Sequence, residues 1–394
     1  MNWTSLILFL LQALVGIHLF YPLFLLVVSR QKVARNVAPQ GMHERDYAIV
    51  VTAYKSTAMI PNVVESILKM NYSNYMVYVV ADNCDVSELS FQSPKIVVLR
   101  PAEILSSNVK SHFYAISNFI REHELLTIID SDNLVQSDYL PNLDMYFNAG
   151  FSAVQGVRRA KNLNSQLACL DEAGDIYYRF VDRKLLFGAG SSASLAGSGM
   201  AFTVKLYKEC LENLQMSGAG FDKLLQYEII SRGHRIAFAE EAIVFDEKSS
   251  KTDQLVKQRA RWINTWFRFI KLGIKLQSRS IKNLDHNQFL FSMMLLRPPL
   301  FLLFIAQGIC FILNGLYFGW LAILFFIVPM LSFIYVFNRS LRYFRANKKV
   351  YDSLMNYPEF FFIQLIALFK ANKANQLSVA TEHEQKSSIQ DLNN

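Results

Sequence analysis

Cysteine is scarce in this chain and too widely spaced to act in concert. Cys84, Cys169, Cys210 and Cys310 are all there is in 394 residues. No two sit at short spacing, so neither a zinc clip nor a disulfide framework is indicated, and free thiols fit a reducing compartment. Charge is missing too. Ser5 to Val28 contains no Asp, Glu, Lys or Arg, about 24 residues against the roughly 20 that cross a bilayer core. No Lys or Arg precedes that run, while Arg30, Lys32 and Arg35 follow it. The expectation is an uncleaved anchor rather than a secretory signal. No internal repeat is present, which argues against a solenoid.

What is abundant is apolar. Hydrophobic residues make up 52% of the chain and Phe alone supplies 31, against the roughly 45–50% of a soluble domain. The excess is local, as in membrane segments. Net charge is +8, a balance that suits nucleic acid, anionic lipid or an anionic substrate. The cations crowd beside apolar runs, so membrane lipid is the expected partner and nucleic acid is not. In Lys257–Gln277, Trp262, Trp266, Phe267 and Phe269 lie among five Lys and Arg residues from Arg259 to Lys275. That is the pattern of an interfacial helix. Gln288–Leu296 reads as a second such piece. Two apolar runs follow, Pro299–Leu313 and Phe318–Phe337, joined by the short uncharged Asn314–Tyr317. Arg339, Arg342, Arg345, Lys348 and Lys349 come next. The Lys/Arg excess after Val28 and after Phe337 predicts an integral protein of the plasma membrane, with its N-terminus outside and the rest cytoplasmic. Glu359–Phe369 is short for a span and reads as interfacial or re-entrant. The polar tail after Glu382 reads as disordered.

Between these segments the pattern alternates. Tyr47–Thr52, Met76–Ala81, Lys95–Leu99, Leu125–Ile129 and Ala153–Val157 read as strands. Ile60–Lys69 and Ser111–Glu122 read as helices between them. Such alternation predicts an α/β fold with a mostly parallel sheet covered by helices on both faces. Ligands of such sheets sit beyond the carboxyl ends of the strands.

The residues at those ends carry chemistry. Asp130-Ser131-Asp132 follows Leu125–Ile129, and two carboxylates at i and i+2 can share a divalent cation with phosphate oxygens. The same residues also make a good solvated turn. Thr52-Ala53-Tyr54 and Asp82-Asn83-Cys84-Asp85 end the first two strands, on the same rim. Tyr54 can stack on a base, Asp82 can accept from a base or ribose, and Lys110 can approach a phosphate near a helix start. Each alone is an ordinary loop residue; their convergence is the signal. Gly197-Ser198-Gly199 permits close approach to a ligand or forms a simple turn. Gln258, Arg261 and Trp262 lie at i, i+3 and i+4 and share a helix face. Arg offers a fork for a diphosphate and Trp a flat face for a sugar. An amphipathic membrane helix is the alternative.

Taken in order, Asp130-Ser131-Asp132, Asp222 with Gly233 eleven residues on, and Gln258 to Trp262 resemble the DxD, Glu-Asp and QxxRW motifs of a known family. It is the membrane-bound family-2 glycosyltransferases of the GT-A fold, a group including cellulose, hyaluronan, chitin and poly-N-acetylglucosamine synthases. The resemblance covers residues 45–270. Here Phe221 stands where the family has Glu before the catalytic Asp. Thr52-Ala53-Tyr54-Lys55-Ser56 replaces Pro-x-Tyr-Asn-Glu, and Ala81-Asp82-Asn83-Cys84 replaces Asp-Asp-Gly-Ser. Thr381-Glu382-His383 resembles the threonine-bearing gating loop without its preceding aromatic.

The resemblance implies a GT-A catalytic domain over 40–250, behind a transmembrane anchor over 1–29. Basic interfacial helices would occupy 251–297 and two transmembrane helices 298–338. A cytoplasmic interfacial segment and tail would fill 339–394. It further implies inverting transfer of a hexose or N-acetylhexosamine from a UDP-sugar, with Asp222 as base. Magnesium or manganese would be held by Asp130 and Asp132. Thr52, Ala53, Tyr54, Asp82, Lys110, Asp130 and Ser131 would contact the donor. Gly197, Ser198, Gly199, Gln258, Arg261 and Trp262 would meet the acceptor or diphosphate. The acceptor would be a lipid-linked or cell-surface glycan. Alternatives are a processive polysaccharide synthase with a partner subunit for export and, from other classes, a nucleotidyltransferase or a non-catalytic membrane adaptor.

Overall fold

The structure is a computed structural model that describes residues 3–29, 44–214, 218–318 and 321–374. The cluster of Arg30, Lys32 and Arg35, the segment Thr381-Glu382-His383 and the polar tail lie outside the described residues.

Helix α1 (Trp3–Val28) leads into β1 (Tyr47–Tyr54), α2 (Ile60–Leu68), β2 (Tyr75–Asp82), β3 (Ile96–Leu99), α3 (Asn108–Ser117), β4 (Leu125–Asp130) and β5 (Leu134–Val135). Next come α4 (Tyr139–Asn148), β6 (Ala153–Ala160) and α5 (Gln166–Tyr178). Helix α5 continues through a π-helical segment (Arg179–Leu185) into α6 (Leu186–Gly188). Then follow β7 (Met200–Thr203), α7 (Val204–Leu211), α8 (Phe221–Ser231) and β8 (Ile236–Asp246). The C-terminal helices are α9 (Thr252–Asn283), α10 (His286–Leu296), α11 (Leu300–Phe318), α12 (Leu321–Tyr343), α13 (Lys348–Ser353) and α14 (Tyr357–Lys370).

The eight strands form one sheet in the order β3-β2-β1-β4-β7-β6-β8-β5. Neighbours β1–β2, β1–β4, β2–β3 and β6–β8 are parallel, β7 runs against both its neighbours, and β5 runs against β8. This is the α/β architecture expected from the alternation of strands and helices, and it is GT-A-like, as the resemblance implies. Strands covered on both faces read as continuous apolar runs, and β1 (YAIVVTAY) and β2 (YMVYVVAD) do so with almost every residue buried. Helix α2 turns Ile60, Val63, Val64 and Ile67 inward, the spacing of one helical face. Helix α3 starts and ends earlier than its apolar pattern, because the Ser107 hydroxyl accepts from Lys110 N and caps it at Asn108.

Two helical stretches, Leu6–Val28 and Ile323–Tyr343, are each long and apolar enough to cross a bilayer. A third candidate is the pair α10–α11, which bends by 74° at its break, as a broken span or re-entrant loop does. The expected connector Asn314–Tyr317 belongs to α11. The Asn314 side chain donates to Gln12 Oε1 at 2.9 Å, so its amide is satisfied across the bundle without ending the helix. Gln12 in turn donates to Gln307 (3.3 Å), and Gln307 to the Phe325 carbonyl (2.7 Å). These bonds tie α1, α11 and α12 together. Helix α14 lays Phe360, Ile363 and Ala367 against Val256, Ala260 and Ile263 of α9.

Candidate active site

Strand register sets the rim. Tyr54 pairs with Asp82 across β1–β2, and Thr52 with Asp130 across β1–β4, so the three parallel ends are level. The Ser198 hydroxyl accepts from Asp130 N at 3.1 Å and Gly199 N donates to the Ile128 carbonyl at 2.9 Å, which brings Gly197-Ser198-Gly199 beside Asp130. Asp82 is buried and accepts from Leu105 N (2.9 Å) and Ser106 N (2.8 Å); the Ser106 hydroxyl donates to Tyr54 OH (3.0 Å). Asp82 and Tyr54 thus hold the loop before α3 next to a cavity of about 510 Å³ lined by Asn83, Cys84, Asp85 and Arg100. Ala53 is buried, Thr52 and Ser131 are half-buried, and Lys110 is exposed on α3. Asp132 is buried, with its Oδ1 accepting from Asn133 Nδ2 at 3.2 Å.

A cavity of about 530 Å³ gathers residues far apart in sequence: Asp130, Gly197, Asp222, Arg261 and Trp262 all line it. Thr52, Tyr54, Asp82, Lys110, Asp132 and Gln258 do not. The cap of α8 is Gly220, at φ +96°, with no side-chain cap bond, and Asp222 lies inside the first turn of α8. A Cβ on residue 220 would stand 2.7 Å from the Phe269 ring and 2.8 Å from Thr265 Cγ2. Glycine therefore lets α9 approach the start of α8, and the approach brings Asp222 to the cavity wall beside Arg261 and Trp262. Lys223 Nζ lies 3.6 Å from the Asp222 carboxylate. Gly233 (φ +84°) ends α8, with its N–H on the Ile230 carbonyl and that of His234 on Ile229. The eleven-residue spacing is thus the length of one helix between its first turn and its left-handed stop. Phe221 is buried edge-on against His112, ring centroids 5.3 Å apart, so the position carries a core aromatic in this chain.

On α9, burial pushes the Arg261 guanidinium below its ordinary pKa. Arg259 stacks on the Trp262 ring, 4.5 Å from its centroid, and pairs with Asp171. The Gln258 Oε1 is buried without a hydrogen-bond partner. Trp262, Trp266 and Phe269 line the cavity; Trp262 also remains exposed, as do Phe267, Ile274 and Ile281 further around and along the helix. The 32-residue helix is long enough to serve the cavity with one stripe and offer another outward.

Sequence reasoning missed a charged network beside this cavity, of which Arg158, Asp175, Asp182 and Arg297 line it. Arg158, toward the end of β6, pairs with Asp246 at the end of β8. Lys248 reaches Asp175, Glu172 (3.3 Å) and Asp246 (3.3 Å). Burial alone would depress the Lys248 ammonium, but Asp175, Asp246 and Glu172 outweigh it and hold it well above an ordinary lysine. Arg297, at the α10–α11 bend, donates to both Asp182 oxygens at 2.7 Å. These residues sit in no recognisable motif. The one available signal was Arg297-Pro298-Pro299, a cation and two helix breakers splitting an apolar stretch.

A sequence model described as glycosyltransferase like family 2 matches residues 43–265. Among solved structures, the mannosyltransferase PcManGT from Pyrobaculum calidifontis in complex with GDP-Man and Mn2+ is similar, with a TM-score of 0.59 at 14% identity over 92% of this chain and 98% of that one. S. aureus TarS 1-349 in complex with UDP-GlcNAc gives a TM-score of 0.43 at 12% identity over 84% of this chain and 90% of that one. No curated protein sequence matches. At such identities the first likeness shows a shared fold and does not transfer residue roles.

Proposed function

Since this chain belongs to the family described as glycosyltransferase like family 2, we propose that it moves a hexose or N-acetylhexosamine, with inversion, from a UDP-sugar to a lipid-linked or cell-surface glycan. The observation that carries this reading is the single cavity lined by Asp130, Asp222, Arg261 and Trp262. Asp222 takes the proton of the acceptor hydroxyl as that oxygen attacks the anomeric carbon. Arg261 balances the negative charge that collects on the departing diphosphate. Trp262 gives the acceptor sugar a flat apolar face. Asp82 and Tyr54, through the loop at Leu105 and Ser106, shape the side where the base would lie. Gln258, one turn before Arg261 and Trp262 on α9, would meet the acceptor.

Asp130 and Asp132 would hold the magnesium or manganese ion. Among the described residues no group of three or more His, Cys, Asp or Glu could hold a metal. Two carboxylates from one turn suit a hard cation that completes its shell with diphosphate oxygens and water. Once bound, such a cation neutralises charge on the diphosphate.

Two, or at most three, membrane-crossing stretches among the described residues favour single additions over threading a polymer through the same chain. The N-terminus would be outside and the cavity cytoplasmic. The test is nucleotide release by purified full-length protein in vesicles against a panel of UDP- and GDP-sugars, the latter because PcManGT was solved with GDP-Man. Release of UDP that depends on an added glycan lipid is expected. Release of pyrophosphate from UTP supplied with a sugar 1-phosphate would indicate nucleotidyl transfer, and no release from any donor would indicate an adaptor. UDP released per acceptor chain separates single addition from processive synthesis.

A further inference from the structure

The π-helical segment Arg179–Leu185 carries charge into the cavity wall in an uneven way. A π turn winds wider than an α turn and recurs at functional sites. Here it sends Arg179 to Glu172 at 3.1 Å and Asp182 to Arg297. Arg183 follows at once, is 8% exposed, and lines the same cavity as Asp130 and Asp222. The neighbouring wall cations Arg158, Arg259 and Arg297 are paired with Asp246, Asp171 and Asp182. Among the described residues Arg183 forms no ion pair, and its Nε has no hydrogen-bond partner. Burial pushes its guanidinium down to about 10; Asp175 opposes this, and Arg179 and Arg158 add to it. At neutral pH it is still a cation, held where an unpaired charge is costly.

A planar guanidinium buried beside a reaction site and lacking an anion matches an oxyanion that arrives with substrate. We propose that Arg183 binds a phosphate or diphosphate group carried by a substrate of this cavity. The inference deepens the glycosyltransferase reading and rests on it for the identity of the substrates. That reading supplies two sources of the group. One is the diphosphate of the sugar nucleotide. The other is a phosphate joining the acceptor to a lipid, for which Trp266, Phe269, Leu272 and Pro299 give the cavity an apolar side.

The test uses the full-length protein in lipid nanodiscs with inorganic pyrophosphate, UDP and farnesyl phosphate as probes. Affinity and melting temperature are measured for the wild type, Arg183→Lys and Arg183→Met. Arg183→Met is expected to weaken at least one probe by about tenfold or more, as loss of a charged hydrogen bond does, with Arg183→Lys intermediate. Melting of the empty Met variant should not fall, because the lone buried charge is gone. Weakened pyrophosphate and UDP with unchanged farnesyl phosphate assigns Arg183 to the donor; the reverse assigns it to the acceptor lipid. Unchanged affinity for all three overturns the proposal. Should both variants misfold, the wild type decides: its melting temperature must rise with pyrophosphate or farnesyl phosphate, and the lack of any rise overturns it. If no sugar nucleotide is turned over while pyrophosphate binding still depends on Arg183, the transferase reading falls and the anion site stands.

Discussion

Strands β1, β2 and β4 are packed almost wholly by apolar neighbours, whereas β6 and β8 carry Arg158 and Asp246 toward their ends and lie against Lys248, Asp175 and Arg179. The first half of the sheet holds its shape through area removed from water. The second half adds a charge network in which each member depends on another. Removing one partner of a buried pair leaves the other uncompensated, while removing both is often tolerated. The two halves should therefore fail differently, and the cavity between them should show chemistry that neither half shows alone.

The largest expected effect is on that chemistry. Asp222→Asn keeps the size and hydrogen bonding of the side chain but cannot accept a proton. Because Gly220 rather than Asp222 caps α8, the variant should fold and bind UDP nearly as the wild type does. Transfer should fall by about 10²–10⁴-fold, the contribution of a general base. A rate above about a tenth of wild type, far short of that loss, would move the base elsewhere, and Glu228→Gln would be the next variant.

Next comes the network itself. Arg297→Met leaves Asp182 buried without its two bonds and should cost about 3–5 kcal/mol, whereas Asp182→Leu with Arg297→Met should restore most of the loss. In the apolar half, Ile49→Ala should cost about 2–5 kcal/mol, with no such partner to rescue it. Denaturant melts of the three variants read both costs. Equal losses in the single and double charge variants would mean that the network does not work as pairs.

The same contrast explains what was legible in the sequence. The ends of β1, β2 and β4 could be placed because a doubly covered strand is a run of apolar residues, and the residue after the run is at the rim. The charged half offered no such run. Asp182, Arg183 and Asp246 look like ordinary surface charge until tertiary structure buries them, and a π segment leaves no mark in residue periodicity. Asp222 is singled out by its distance from Gly233. The pattern could not reveal that a left-handed Gly220, pressed on Phe269, starts the helix. Asn314–Tyr317 reads as a short uncharged connector between two apolar runs; in the structure it is helical, and Gln12 partners the Asn314 amide.

Acid should reach the apolar half first. Burial holds the His112 imidazole down to about 3, with its Nδ1 2.6 Å from Tyr207 OH and its Nε2 lacking a partner. His123 is lowered for the same reason, with Asp46 opposing. The unfolded chain takes up a proton below about 6.5 that folded His112 refuses. This stability is therefore present above about 6.5 and lost as pH falls toward 3, at up to about 1.4 kcal/mol per pH unit for His112. His112→Gln should flatten the pH 6.5–5 part of the curve. An unchanged slope would assign acid sensitivity to other groups.

The smallest effects lie at helix starts, and they test whether packing or capping sets the two halves apart. Ser165 Oγ accepts from Ala168 N at 3.1 Å at the start of α5, the helix that carries Glu172 and Asp175 into the network. Ser107 Oγ accepts from Lys110 N at 3.5 Å at the start of α3 in the apolar half, near the limit at which such a bond still counts. Loss of an N-cap typically costs about 1 kcal/mol, within a range of roughly 0.5–2. Ser165→Ala should therefore cost about 1 kcal/mol and Ser107→Ala less, near the lower end of that range. Helix α5 also aims Asp175 at Lys248, so fraying its first turn should pass some of the loss into the charge network. Combining Ser165→Ala with Asp175→Asn should then cost less than the sum of the two, because neighbours that share partners do not add. Ser107→Ala with Ile49→Ala should add within a few tenths of a kcal/mol. Urea midpoints of the singles and doubles give both comparisons. Additivity in the α5 pair would mean that the network is held by the π segment and α9, independently of how α5 begins.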